Sequence, residues 1–575
     1  MVFLLGWGTI IFLTTLIYGM GLEKLLLWLA GNENVSGRSL LVTWCLGLSG
    51  VTTLASALSI LMPLSAGALA ILLLIAVLVA IILHRVGELS QIPKLLLPAR
   101  MPTWVWLLAG LVLLSVLEIA TQRGDNPDSG IYHMQAIRWM ETYAIVPGLG
   151  NLHTRFAYNS AWLVLNAAFS LAFVGGRSFH ILPAVVYMVF LWHGLTSAAR
   201  LFTPSRRLSD WLALAFIPLS FYALAGEVSS PGTDFPAILM YWSVFLLGAR
   251  QVETPHSKLL PASLIILVAF LVTVKLSTLP AVLLALWSGW TLTHRKERRL
   301  IWACAGVGAV TLLPWLARNL LLSGYLIYPL TVTSLPRLDW MIPPQVVKDD
   351  ALAILTWGRL PNMDVDTVAA MPIGEWAPIW FSDQTRNRQI LVVALAALPL
   401  LQAFVLWFGR RWLAATWERV KPFGVLVAVT YVGVFYWFLT APLFRYGVGV
   451  VLAALVMVLL PVWEILDRLA SRWRVVMPLV VLLLGLYQGS LLVRSVDVDT
   501  AAQRFLLPAD VIELRTAPCE FGNFSAYCAE EFGECWYDPF PCVPRSNPNI
   551  YLRGEDLSEG FVWRESPFED PHGDN

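Results

Sequence analysis

The feature that most constrains this chain is a series of long apolar runs without a charged side chain. Gly67–Leu83 and Val475–Leu492 are two of them, and each covers most of the thickness of a bilayer as a helix. Lipid cannot satisfy free backbone N–H and C=O groups, so such runs must be helical. Only 13% of the 575 residues are charged, against about 25% in soluble domains. The sequence therefore predicts an all-α integral membrane protein.

About 14 segments are apolar and long enough to span a membrane. They lie near 2–20, 40–62, 64–83, 103–120, 178–199, 208–225, 234–249, 259–275, 278–293, 300–320, 389–408, 422–440, 444–466 and 475–492. The first lacks a basic leader and a small-residue cleavage site, which favours a retained helix over a signal peptide. A further apolar stretch, Tyr158–Val174, is predicted to lie at the outer membrane surface or to re-enter from it.

Lysine and arginine predict the orientation of these spans. More than half of the 39 basic residues lie in seven short loops, which are therefore predicted to be cytoplasmic. These loops are 21–39, 84–102, 200–207, 250–258, 294–299, 409–421 and 467–474. Both termini and the long segments 121–177, 321–388 and 493–575 then face outward. The predicted divisions are N-terminal helices at 1–102, a core at 103–320, a loop at 321–388, C-terminal helices at 389–492 and a tail at 493–575.

Six cysteines divide into two groups. Cys45 and Cys304 lie in apolar runs and are expected to be buried thiols. The other four crowd the polar tail, without a CxxC pair or a nearby histidine, so disulfides are favoured over a zinc site. The preferred pairing is Cys519–Cys528 and Cys535–Cys542, because short loops close most readily. Disulfides would place the tail in an oxidising compartment, which agrees with the orientation from the basic residues.

Polar residues concentrate in the first outer segment, from Arg123 to Ser160. Asn126 can cap a helix that begins at Pro127, which puts Asp128 in its first turn. Asp128 is the first candidate for a catalytic acid and Asp125 the second, although an acid in a first turn also simply complements the helix dipole. Four basic or titratable residues follow and make an anionic ligand plausible: His133, Arg138, His153 and Arg155. Arg138 could instead form an ordinary surface pair with Glu141.

Further polar residues are expected at the outer ends of later spans. Asp234 either caps the next helix or joins a site, and Lys275 within an apolar run is functional or snorkels to headgroups. Arg318 ends one span and Arg445 begins another. Convergence of Lys275, Arg318 and Arg445 on one cavity would suit a lipid phosphate or pyrophosphate. With a net charge of +1, nothing suggests nucleic acid as a partner.

The order of these features resembles the GT-C superfamily of polyprenyl-linked glycosyltransferases. A spanning helix is followed by an outer loop with an early acid and then by a second acid in the next outer loop. The stretches PDSGIYHMQAIRWMETYAIVPGLGNLHTRFAYNS, RNLLLSGYLIYP, LDW, APLFRYG and CWYDPFPCVP also resemble a family of uncharacterised bacterial membrane proteins. The chain departs from GT-C enzymes in its three leading helices and in lacking an Asp-x-Asp or Asp-Glu pair.

The resemblance implies a GT-C-like helical bundle in the bacterial inner membrane, with the large loops and both termini in the periplasm. It implies a glycosyltransferase that takes a sugar from a polyprenyl-phosphate donor, with Asp128 as the general base, Asp234 as the second acid and a glycan or protein as acceptor. A divalent metal stays open, and no metal ligand is assigned. Trp376 and Trp380 are expected to stack on sugars or to anchor at the membrane interface. A glycan polymerase or ligase, and a non-catalytic subunit of a membrane complex docked through the tail, are the alternatives; a transporter is less favoured.

Overall fold

The protein is a multi-pass membrane protein made mostly of helices. A computed structural model describes residues 1–31, 38–97, 101–335, 338–408, 410–473 and 502–564, with four single positions between 474 and 501. Among these residues, ten helices are long and apolar enough to cross a membrane: Val2–Leu29, Leu40–Leu61, Ala66–Arg85, Thr103–Ala120, Leu182–Arg200, Asp234–Glu253, Leu276–His294, Arg298–Ser323, Arg386–Val405 and Ala414–Thr440. A bent pair, Phe444–Val458 with Leu460–Arg468, makes up to eleven.

The prediction of about 14 spans is confirmed in location but not in number. Each of the first thirteen predicted segments coincides with a helix. Two of these helices, Leu208–Leu224 and Leu259–Val274, are apolar but shorter than a full span. The fourteenth segment, 475–492, lies outside the described residues. Tyr158–Val174, which was not predicted to span, holds no helix of span length: its longer helix is Ala161–Ala168, all eight residues of which are buried, and a four-residue helix begins at Ala172.

The remaining helices are short and connect the spans. They are Ile92–Leu96, a π-helical turn at Ser129–His133, Met134–Thr142, Leu149–Leu152, Ala172–Gly175, Pro344–Arg359, Val365–Ala370 and Ile373–Ser382. The helix Arg410–Val420 overlaps the start of the span Ala414–Thr440. Most of the short helices belong to the long segments that the sequence assigned to the outside. They therefore build a layer on one end of the bundle rather than adding spans.

The core lies around the central spans. In Leu182–Arg200 and Asp234–Glu253, 89% of the most apolar window is buried inside the protein, against 6% for Arg386–Val405. The first two spans approach each other at two glycines. A Cβ atom added to Gly19 would lie 1.8 Å from the carbonyl oxygen of Thr43, and one added to Gly47 would lie 1.8 Å from that of Thr15. Only glycine permits this contact, as is common between helices in membranes.

The two ends of the bundle differ in what they carry. At one end the short basic loops meet in ion pairs, such as Arg38–Glu88 at 2.9 Å and Arg206–Asp467 at 3.0 Å. At the other end the long segments meet: the N–H of Gly148 donates to Leu321 at 2.7 Å. We call these the basic end and the loop end. The N-terminal amine also lies at the loop end, donating to the carbonyl of Arg504 at 2.8 Å.

The tail is a small β-structured unit, so the all-α prediction does not hold for it. Its strands are β1 (Thr516–Glu520), β2 (Ser525–Ala529), β3 (Cys542–Val543), β4 (Ile550–Leu552) and β5 (Phe561–Trp563). β1 and β2 are antiparallel, β2 and β3 are parallel, and β4 pairs with β5 in a separate antiparallel ribbon. Disulfides join Cys519 to Cys528 and Cys535 to Cys542, which confirms the preferred pairing. Cys45 and Cys304 are free and buried, also as expected.

Candidate functional site

Two loops at the loop end fold against each other and bring the two candidate acids together. The amide of Asn126 donates to Glu227 at 2.6 Å, and the hydroxyls of Ser129 and Ser230 lie 2.7 Å apart. Asn126 also accepts the backbone N–H of Asp128 at 3.0 Å, as a residue that begins a helix does. Burial raises the pKa of Glu227, and its hydrogen bond to Asn126 opposes that shift. These contacts place Asp128 beside the start of the Asp234–Glu253 helix.

Four charged side chains form the centre of the site. Arg445 forms an ion pair with Asp128, and its Nε lies 3.6 Å from a carboxylate oxygen of Asp234. Lys275 forms an ion pair with the other oxygen of Asp234. The side chains are 15–36% exposed, so they are reachable from solvent. We call Asp128, Asp234, Lys275 and Arg445 the acid–base quartet.

Aromatic residues surround the quartet. The ring of Tyr446 lies beneath both cations, 5.2 Å from Lys275 Nζ and 5.3 Å from Arg445 Cζ. Burial and the carboxylates of Asp128 and Asp234 raise the pKa of Tyr132. Tyr132 therefore keeps its phenol proton and is a potential hydrogen-bond donor at the site. Sequence reasoning did not select Tyr446, although it directly follows Arg445.

His133 is a neutral, buried neighbour of the quartet. Its ring is 2% exposed, and Nδ1 lies 3.3 Å from the Ser129 hydroxyl. Burial lowers its pKa to about 4, although the charge of Asp128 opposes that shift. At neutral pH it is therefore uncharged, so any contact with an anion would be a hydrogen bond from a ring N–H rather than an ion pair. Its other nitrogen has no partner among the described residues.

We expect His133 to make the protein sensitive to acid. The unfolded chain binds a proton near pH 6.5 and the native His133 only near pH 4, so stability is full above pH 6.5 and falls as the pH drops towards 4. The expected slope is about 1.4 kcal/mol per pH unit. His133→Gln should remove this contribution and so reduce the dependence of the melting temperature on pH, while His153 and His180, whose pKa values burial also lowers, keep theirs. The exposed His84 provides the control, since His84→Gln should leave the slope unchanged; equal slopes in all three proteins would contradict the assignment.

A second polar group extends the site through Arg155. Asp350 accepts hydrogen bonds from the phenols of Tyr158 at 2.5 Å and Tyr328 at 3.0 Å, and Arg155 lies 4.0 Å from its carboxylate. Arg155 is also close enough to Tyr132 to interact with it electrostatically. Sequence reasoning did not select Asp350, because it lies in an amphipathic helix of the second long segment, 321–388. The structure makes it the counter-ion of a predicted site residue.

The tail holds the turn that carries Asp128. The N–H groups of Cys535 and Trp536 both donate to the carbonyl of Gly130 at 2.9 Å. A Cβ atom at Gly130 would lie 2.8 Å from the Trp536 ring, so only glycine fits there. Gln135 donates to three tail carbonyls and accepts the N–H of Cys542 at 3.1 Å. The π-helical turn, a form that is frequent at functional sites, is thus clamped by the disulfide loop.

Several predicted site residues lie elsewhere. Arg138 pairs with Asp538 and lies 4.6 Å above the Tyr537 ring, so it binds the tail rather than the quartet or Glu141. Asp125 is exposed. His153 packs edge-on against Phe156 at 5.3 Å. None of these side chains has a contact with the quartet in the described part of the chain.

The predicted convergence of three cations holds for two of them. Lys275 and Arg445 meet at Asp234, whereas Arg318 is buried and bonds to Ser59 at 2.5 Å and Asn159 at 3.0 Å. Arg318 lies beside a small cavity of about 30 Å³ rather than in the quartet. Arg318 lies inside the Arg298–Ser323 helix, five residues before its last residue.

Trp376 and Trp380 cannot stack on sugars in this conformation. They are 2% and 3% exposed, and the Trp380 indole donates to the carbonyl of Pro442 at 2.8 Å. They form a small core with Trp437 and Phe444, where the second long segment, 321–388, packs on the spans. Neither the stacking nor the interface role expected from the sequence is compatible with this burial.

The donor set of the site is a pair of carboxylates matched with two cations. Among the described residues there is no cluster of three or more His, Cys, Asp or Glu with a geometry for a metal ion. The arrangement instead suits an anionic ligand that carries several oxygens, because such a ligand could take the place of the carboxylates against Arg445 and Lys275.

The fold and this site define the class: a multi-pass membrane protein with a charged site at one end and a disulfide-bonded tail clamped over it. More particularly, the chain belongs to the family described as a domain of unknown function, DUF8201, whose model matches residues 1–452. No curated protein and no solved structure matches the chain. The matched residues include the whole quartet but not the tail.

Proposed function

We propose that this protein is a GT-C-type membrane glycosyltransferase that transfers a sugar from a polyprenyl-phosphate donor to an acceptor hydroxyl. The observation that carries the proposal is the quartet, in which Asp128 of the first long segment and Asp234 at the start of a later span meet two cations at the loop end. The loop end then faces the periplasm of a bacterial inner membrane. Basic residues at the opposite end and disulfides in the tail support that orientation.

Donor binding and base activation are coupled in this proposal. The phosphate of the donor takes Arg445 and Lys275 as its partners, because a phosphate accepts charged hydrogen bonds from both cations. Asp128 is thereby released from its ion pair with Arg445. A carboxylate without a cation partner is a stronger base. In this proposal, Asp128 therefore stays paired with Arg445 until a donor binds.

The transfer step follows from these positions. Asp128 accepts the proton of the acceptor hydroxyl while the hydroxyl oxygen forms a bond to the anomeric carbon. The bond between that carbon and the phosphate oxygen breaks, and its electrons leave with polyprenyl phosphate. Arg445 and Lys275 stabilise the charge that develops on the leaving phosphate. A glycan polymerase or ligase would use the same groups on a lipid-linked glycan.

One observation favours a non-catalytic subunit instead. Both acids are already paired with cations, and such pairs also serve only to fasten helices. The test is binding of undecaprenyl phosphate to the purified protein, measured by native mass spectrometry. Arg445→Gln and Lys275→Gln should each weaken binding by about tenfold, since a charged hydrogen bond contributes about 1.5–3 kcal/mol. Arg200→Gln, which removes a paired cation at the basic end, is the matched control.

The outcomes separate the two functions. Loss of lipid-phosphate binding in both site variants, with normal binding in the control, supports the transferase. Undiminished binding in both site variants would leave the ion pairs a purely structural role, and the proposal would then be wrong. Measuring the melting temperature of each variant distinguishes lost binding from lost folding.

A further inference from the structure

A second polar cavity lies at the loop end, outside the quartet. It has a volume of about 440 Å³ and is bordered by the end of the Pro344–Arg359 helix, the start of the Arg386–Val405 span and Leu443. Its polar lining consists of Arg359, Asn362, Asp383, Gln384 and Arg388. This volume is large enough for the headgroup of a lipid.

Two arginines reach this cavity from different helices without a counter-ion. Arg359 lies 4.8 Å above the ring of Trp376, and Arg388 lies 5.1 Å above the ring of Phe444. Neither forms an ion pair with any described residue. The Nε of Arg359 is buried and has no hydrogen-bond partner in that part of the chain. Asp383 is the single acid among the lining residues, so the lining carries a net positive charge.

The position of the cavity points to a membrane lipid. Arg388 lies in the first turn of a span of which only 6% of the most apolar window is buried, so lipid surrounds most of that helix. A lone arginine at the end of a span commonly snorkels to headgroups of any kind. Here a second arginine from a separate amphipathic helix lines the same cavity, and snorkelling does not account for it.

We propose that this cavity binds the phosphate group of a membrane lipid between Arg359 and Arg388. Arginine suits this ligand because its planar fork donates two parallel hydrogen bonds to phosphate oxygens. Asn362 and Asp383 lie where they can contact headgroup hydroxyls, and the lipid chains follow the exposed face of the Arg386–Val405 helix. The site stands independently of the proposed transferase activity.

A short stretch of chain, residues 443–446, also connects the cavity to the quartet. Leu443 lines the cavity, Phe444 lies under Arg388, and the next two residues, Arg445 and Tyr446, belong to the quartet and its aromatic floor. A lipid that orders Arg388 on Phe444 therefore also supports the helix start that presents Arg445. This gives the lipid a positioning effect on the site.

The experiment measures lipid retention by native mass spectrometry of the full chain released from nanodiscs. We expect Arg359→Gln and Arg388→Gln each to reduce retention of phosphatidylglycerol by about tenfold, which equals about 1.4 kcal/mol. Arg386→Gln is the matched control, because Arg386 is exposed on the same helix and does not line the cavity. Melting temperatures show whether each variant is folded.

Parallel arms identify the source of the phosphate. If retention of phosphatidylglycerol falls in both arginine variants, the site binds an ordinary phospholipid. If only retention of undecaprenyl phosphate falls, the site binds a polyprenyl lipid. Arg445→Gln separates this site from the quartet, since it should spare phosphatidylglycerol. The proposal is overturned if retention is unchanged in both variants, if Arg386→Gln reduces it equally, or if only inorganic phosphate depends on the arginines.

Discussion

Asp128→Asn is expected to reduce sugar transfer by about 10²–10⁴-fold, the typical cost of losing a general base. Asparagine keeps the shape of the side chain and cannot accept the proton of the acceptor. Arg445 remains close to Asp234, at 3.6 Å, so the cation does not lose its last counter-ion. Folding and donor binding should therefore change little. The measurement is release of polyprenyl phosphate from a synthetic polyprenyl-phosphate sugar in nanodiscs, with purified wild type in parallel.

A matched control separates charge loss in general from charge loss at this site. Asp210 also lies in the first turn of a helix and pairs with an arginine, Arg200, at 2.7 Å, but at the basic end. Asp210→Asn should lower the melting temperature and leave the transfer rate of the folded protein unchanged. If Asp128→Asn transfers at the wild-type rate, Asp128 only complements its helix, and the scaffold interpretation gains support.

Gln135→Ala is expected to destabilise the tail by about 3 kcal/mol. The Gln135 side chain is fully buried and makes four hydrogen bonds to tail backbone groups. Arg138 still donates to the Tyr537 carbonyl, so three backbone groups lose their partner, and each costs at least about 1 kcal/mol. Because the same tail loop bonds to Gly130, the turn that carries Asp128 should loosen as well. Limited proteolysis should then release the tail from folded protein, and the transfer rate should fall with it.

The control for this variant is another glutamine that bonds to backbone carbonyls. Gln389 donates to the carbonyls of Phe381 at 3.0 Å and Ser382 at 3.5 Å, but it is only half-buried. Water replaces its bonds in Gln389→Ala, so the tail should stay protected from protease. Equal protection of the tail in Gln135→Ala and wild type would show that the disulfide-closed loop docks without this side chain.

The spans and the disulfides could be predicted because their physics is local. A run such as Gly67–Leu83 has no alternative to a membrane helix, whatever its neighbours are. Cys519–Cys528 and Cys535–Cys542 close short loops, so proximity along the chain favoured these pairs. Two predicted spans were not confirmed because their length is marginal: Leu208–Leu224 and Leu259–Val274 are apolar and largely buried, but each is shorter than 18 residues.

The partners of the polar residues required the tertiary structure. Asp128 pairs with Arg445 across 317 positions of sequence, and no pattern in either segment encodes that distance. Gln135 and Arg138 belong to the helix that follows Asp128, and both side chains bond to the tail. The sequence placed Gln135 and Arg138 on different faces of that helix but did not show that both would contact the tail.

The sequence by itself determined that this chain is a membrane protein and which helix ends carry its basic loops, and it favoured the cysteine pairing that the structure has. Those properties follow from hydropathy, charge and short loop closure. Only the tertiary structure decided that Lys275 and Arg445 converge on Asp234 while Arg318 turns to Ser59. Three cations at helix ends look alike in sequence, because their contacts depend on how the helices pack and rotate, and packing is set by side chains from the whole bundle.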